Sequence, residues 1–184
     1  MVRFSREDLE AARDRRVPDV VAPGLTVLFC GINPGLLSAA AGRHFARPGN
    51  RFWPALAASG FTPQQLLPEQ QDDVLALGLG ITNVVARATA RADELTAAEL
   101  RAGGAELRAK VRRLRPGWLA VLGVTAYRTA FGVPKAVVGE QPDPVGETRV
   151  WVLPNPSGLN AHWTPPALAD AFAALRLRAT SASG

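Results

Sequence analysis

A chain of 184 residues, 47% of them apolar, is long enough to bury the core of one domain, and it contains no apolar run of bilayer-spanning length. One cysteine, Cys30, excludes an internal disulfide, and with only His44 and His162 beside it the usual zinc spacings are absent. The net charge of +5, carried mostly by arginine, suits a polyanionic partner, although Arg- and Ala-rich composition also occurs in proteins with no nucleic-acid role.

The charged start, MVRFSREDLEAARDRR, lacks the apolar middle of a secretory signal, so the expected setting is the cytoplasm. Residues 5–16 predict a short charged helix, with Ser5 and Asp8 spaced as a capping box. Pro18, Pro23 and Gly24 then break the chain, which makes residues 1–20 an expected helical appendage to a domain over 21–179. Residues 25–30, LTVLFC, form an apolar run bounded by turn residues, as a buried parallel strand requires. It ends in Gly31-Ile32-Asn33-Pro34-Gly35, where Pro34 cannot donate to a ladder. A loop is expected up to Pro48-Gly49, and Asn50 is placed to cap a helix through Phe52, Leu56 and Ala57. A second strand is predicted over 80–85, followed by a polar loop from Ala86 to Asp93. Residues 96–114 read as a long helix weakened in its middle by Gly103-Gly104. A third strand over 118–123 leads into a helix through Tyr127 and Phe131, and a fourth over 148–153 runs into Pro154-Asn-Pro-Ser-Gly-Leu159. A last helix is predicted over 165–178, and residues 180–184 read as a disordered tail.

Strands alternating with helices predict an α/β fold with a mainly parallel sheet covered on both faces. In such folds ligands bind outside the carboxyl ends of the strands. The two Pro/Gly-rich loops, GINPG and NPSGL, each follow a strand and are expected side by side at that edge. GINPG lacks the Gly-Lys-Ser/Thr ending of a phosphate-binding loop and is not GxGxxG, and no Gly-x-Ser-x-Gly elbow is present.

The strings GINPGL at 31–36, GNRFW at 49–53 and LPNPSGL at 153–159, in this order and spacing, resemble the mismatch-specific uracil-DNA and thymine-DNA glycosylase family of the uracil-DNA glycosylase superfamily. The similarity runs from about Ala22 to the last helix. It implies a three-layer α/β/α sandwich and an enzyme of base-excision repair, a monofunctional glycosylase needing no metal or other cofactor. Such an enzyme flips uracil, with thymine or modified pyrimidines as further substrates, out of mismatched duplex DNA and hydrolyses the N-glycosidic bond, leaving an abasic site. The implied partner is double-stranded DNA containing G:U or related mismatches, met by a monomer in a bacterial cytoplasm at the nucleoid. Asn33 matches the family's catalytic asparagine; a neutral amide is no strong base, so its role is to orient the attacking water. Ile32 would offer backbone groups to the flipped base, Phe45 a ring face for stacking, and Ser38 would line the pocket near the base's 5-position. Leu159 matches the wedge that fills the gap in the base stack, and Gly158 and Asn160 would approach the opposing guanine.

The chain departs from the family at Asn83, in the base pocket, where bacterial relatives often carry lysine, and at Ala161, where they carry arginine. His162 is a partial substitute for the latter or a solvent-facing residue. With no acid in GINPG, Asp93 is the carboxylate of the strand-end loops expected to polarise the water, against the alternative of a surface aspartate. Arg43, Arg47 and Arg51 are expected to hold phosphates around the pocket, with Arg87 and Arg91 as weaker candidates. No lysine nucleophile stands in the motifs, so no Schiff-base lyase step is expected. Two readings compete with the enzyme: a catalytically weak damage-binding module of the same fold, and an α/β enzyme acting on free nucleotides.

Overall fold

Three of the four long strands carry apolar side chains on both faces, while the fourth, Leu79–Asn83, carries them on one face and Gly80 and Thr82 on the other, and the sheet is covered twice. The computed structural model describes residues 3–181. Strands β1 (Val27–Gly31), β2 (Leu79–Asn83), β3 (Trp118–Leu122) and β5 (Arg149–Leu153) lie parallel in the order β2-β1-β3-β5. A two-residue strand, β4 (Gly139–Glu140), adds antiparallel to the outer edge of β5. Successive side chains point to opposite faces. Val27, Phe29, Leu79, Ile81, Ala120 and Leu153 meet α3 (Phe52–Ala58) and α6 (Pro165–Ser181), burying Phe52, Leu56, Leu168, Phe172 and Leu175. Leu28, Cys30, Leu119, Val121, Val150 and Val152 meet α4 (Ala97–Leu114) and α5 (Val124–Phe131) through Leu107, Val111, Tyr127 and Ala130. The result is the expected three-layer α/β/α sandwich.

The capping box expected at Ser5 and Asp8 forms, and a second one stands at the long helix. Thr96 accepts from the Glu99 N–H at 3.1 Å while the Glu99 carboxylate accepts from the Thr96 N–H, closing a capping box on α4. Asn50 caps from one residue further out, its Oδ1 accepting from the Phe52 N–H at 2.9 Å, and Arg51 holds the cap position itself. Gly103 and Gly104, expected to weaken α4, allow it to pack closely: a Cβ at either would fall 2.3 Å from the Val84 carbonyl oxygen or 2.1 Å from that of Ala130.

The N-terminal helix α1 is shorter than expected, Arg6–Ala11, and the segment after it is packed into the body. Ala12 and Val17 are buried with Ala39 and Ala88, and Asp14, Arg15 and Val20 exchange backbone hydrogen bonds with Ala88 and Ile81. The region read as loop after β1 holds a short helix, α2 (Leu36–Ala41), and a 3-10 segment, Pro68–Leu77, leads into β2. Helix α6 continues through Thr180 and Ser181; the rest of the expected tail lies outside the described residues.

Candidate functional site

The chain leaves β1 and turns to β2 on one side, then returns to β3 on the other, so the strand order reverses beside β1. A crevice opens there at the carboxyl ends of the strands. It is a cavity of about 160 Å³ bounded by the loop after β1, the end of β2, Leu122 of β3 and the loop after β5.

The loop after β1 is held by its own backbone. The carbonyls of Gly31, Ile32 and Pro34 accept from the N–H groups of Val84, Val85 and Thr89 at 2.9, 3.0 and 3.1 Å. The Ile32 carbonyl is thus already engaged. Asn33 donates from Nδ2 to the Arg87 carbonyl at 3.0 Å and to the Thr89 hydroxyl at 2.8 Å. That hydroxyl donates in turn to the Arg91 carbonyl at 2.7 Å. Both amide hydrogens of Asn33 are therefore used, and Oδ1 is the atom left to accept from a ligand. Arg87 anchors the supporting loop through Glu99 at 2.5 Å and Asp14 at 3.1 Å, and its guanidinium holds the Glu99 carboxyl down at about 2.

Phe45, Ser38, Asn83 and His44 complete the wall. Phe45 has a positive φ of 53°, rare for an aromatic residue, and stacks on Phe52 with ring centroids 4.0 Å apart. Gly31 makes room for that ring, because a Cβ there would lie 3.3 Å from it and 2.6 Å from Asn83 Oδ1. Ser38 is buried, and its hydroxyl accepts from the Ala46 N–H at 3.1 Å. His44 is only 2% exposed, and burial pushes its pKa below the ordinary histidine range.

The loop after β5 forms the opposite lip. Asn155 Oδ1 accepts from the Ser157 N–H at 3.0 Å, and Asn160 Nδ2 donates to the Asn155 carbonyl at 3.0 Å, so one amide hydrogen of Asn160 is used inside the loop. Gly158 rides against Gly49, where a Cβ would fall 2.5 Å from the Gly49 carbonyl oxygen. Leu159 stands beside it with 75% of its surface exposed, the highest value of any large apolar side chain among the described residues.

Three expectations need correction. Asp93 does not reach the cavity: its carboxylate is 67% exposed and pairs with Arg91 at 3.0 Å. It sits in a short 3-10 turn, Ala92–Glu94, whose backbone turns it outward, and no carboxylate lines the cavity among the described residues. Arg51 is not free for phosphate, because its guanidinium donates to the carbonyls of Ser157 at 2.8 Å, Asn160 at 2.9 Å and Trp163. Arg43 lines a separate apolar groove with Phe4, Leu37 and Leu67 rather than the base cavity. Of the three arginines only Arg47 stands at the mouth, exposed, between the cavity and the Gly158-Leu159 turn. His162 is exposed, as one of its two readings had it.

Thr89 and His44 were given no role in the site from the sequence. Thr89 carries a weak signal, standing in the polar loop after the second strand; His44 carries none, because its partners are 26 and 39 residues away. The model of one protein family, described as the uracil DNA glycosylase superfamily, matches residues 18–176, most of the chain and every residue that lines the cavity.

Proposed function

The chain belongs to the uracil-DNA glycosylase superfamily, and from that premise we propose that it is a monofunctional, mismatch-directed uracil-DNA glycosylase. The observation that carries this reading is the locked amide of Asn33. With both N–H groups committed to Thr89 and Arg87, Oδ1 presents a fixed acceptor to a water at the cavity wall. Flipped uracil would stack on Phe45, pass Ser38 with its 5-position, and meet Asn83 with its polar edge. As the C1′–N1 bond breaks, its electron pair leaves with the base and positive charge develops on the sugar. The water held by Asn33 then adds to C1′ and loses a proton to solvent, and the departing uracil anion takes one up from solvent, giving the abasic site and free uracil. Positioning and charge stabilisation supply the rate, since asparagine is too weak a base to take the proton. Leu159, exposed beside the cavity, is suited to fill the vacated stack, and Arg47 to hold a flanking phosphate.

The lack of a carboxylate in the cavity among the described residues favours slow chemistry, and it is also what a weakly catalytic damage-binding module would show. Single-turnover cleavage of end-labelled U:G, U:A and T:G duplexes and of single-stranded uracil separates the two. Cleavage of U:G, revealed by alkali in the presence of EDTA and reduced at least 100-fold in Asn33→Ala, is the expected result. Tight binding of mismatched duplex with no cleavage of any substrate would leave the binding module.

A further inference from the structure

His44 stands in the wall of the base cavity, and its ring makes two hydrogen bonds with different demands. Nε2 is 2.9 Å from the Pro18 carbonyl oxygen, which only accepts, so Nε2 carries the hydrogen. In the neutral ring Nδ1 is then a bare lone pair, and it lies 3.4 Å from Nδ2 of Asn83, which donates to it. This sets the Asn83 amide in one orientation, with Nδ2 toward His44 and Oδ1 over Gly31 at the cavity wall. Among the described residues that Oδ1 accepts no hydrogen bond.

We propose that His44 is the positioning residue that sets the amide orientation of Asn83. Through it, His44 sets the pocket's preference for a base edge carrying an N3 hydrogen, as uracil's does, over one with a bare N3 lone pair, as cytosine's has. This rests on the reading of Asn83 as a contact to the flipped base. Uracil N3–H can donate to an outward-facing Oδ1; the N3 lone pair of cytosine would face a second lone pair and leave both unpaired. Protonation of His44 reverses the pattern. Nδ1–H would then meet the N–H of Asn83, and rotation of the amide would turn Nδ2 into the cavity as a donor.

The surroundings set where this happens. Burial opposes the charge on His44, and Lys110 of α4 opposes it further; Asp19 of the N-terminal segment and Asp72 of the 3-10 segment favour it. Lys110 and Asp19 pair with each other at 2.5 Å, which weakens both influences. The backbone of His44 is held independently: its N–H donates to Gln71 Oε1 at 2.8 Å and its carbonyl accepts from Trp53 Nε1 at 3.2 Å. The side chain can therefore be changed while the loop keeps its anchors.

The test compares excision of 5-fluorouracil and 5-fluorocytosine, each opposite guanine, between pH 5 and 7.5, because the two differ only along the edge that meets Asn83. In the unmodified protein the uracil form is expected to be favoured at pH 7.5, with the preference falling toward acid. His44→Leu, which removes the acceptor, should lower the preference about tenfold at pH 7.5 and abolish its pH dependence. His44→Asn, which returns an untitratable acceptor near the Nδ1 position, should restore the preference and keep it flat with pH. An unchanged ratio and pH profile in His44→Leu would overturn the proposal. So would 15N NMR showing Nδ1 protonated in the unmodified protein at pH 7.5, a readout that holds even where a variant fails to fold. If the unmodified protein excises neither base nor uracil, the glycosylase reading falls, and this one with it.

Discussion

The loop after β1 and the loop after β5 face each other across one cavity and are held in opposite ways. The first is tied to the neighbouring strand's extension by three backbone hydrogen bonds, and its key side chain has both amide hydrogens committed. The second carries an exposed turn, Gly158-Leu159, and one arginine from the cap of α3 gathers three of its carbonyls. The difference follows from the tasks proposed for them. A group that aligns a water must be immobile, because small misplacements cost rate steeply. A group that enters another molecule must stay unpacked in its own fold, so Leu159 keeps its apolar surface in water.

If that contrast is right, disturbing the first loop should cost chemistry and disturbing the second should cost duplex engagement. Thr89→Val keeps the shape but removes the hydroxyl that accepts from Asn33, and single-turnover cleavage of U:G should fall about 100-fold with DNA affinity unchanged. Arg51→Met leaves the carbonyls of Ser157, Asn160 and Trp163 without their shared donor. Chemical denaturation should show a loss of about 2 kcal/mol, and cleavage of duplex should fall more than cleavage of single-stranded uracil. Leu159→Ala removes the exposed wedge without touching the core. It should slow duplex cleavage about tenfold, leave single-stranded cleavage within about twofold, and not lower the melting temperature. Asp93→Ala should change none of these, because the carboxylate is paired with Arg91 outside the cavity; a large loss of cleavage would return it to the mechanism.

The architecture was readable because its signals are local. Four apolar runs ending in Gly, Pro or Asn mark buried strands, and their alternation with helical segments leaves few topologies. The strand β4 was missed, being two residues that pair only because β5 offers an edge. The 3-10 segment Pro68–Leu77 was missed because its PEQQDD start carries no apolar stripe. The N-terminal segment read as an appendage because nothing in its charge pattern shows that Ala12 and Val17 will be buried against Ala39 and Ala88.

By itself, then, the sequence determined the layered α/β sandwich, the superfamily, and the two loops that meet at the strand ends. These depend on periodicity, turn chemistry and ordered strings, which are properties of neighbouring residues. Tertiary structure alone decided which way each side chain spends its hydrogen bonds. Arg43, Arg47 and Arg51 are alike in sequence, yet one lines an apolar groove, one stands free at the mouth and one is consumed inside. Asp93 and Thr89 share a loop, and a turn of backbone sends the first to solvent and the second to Asn33. Partners set by packing lie tens of residues apart, and the strength of a polar group depends on which of them has already claimed it.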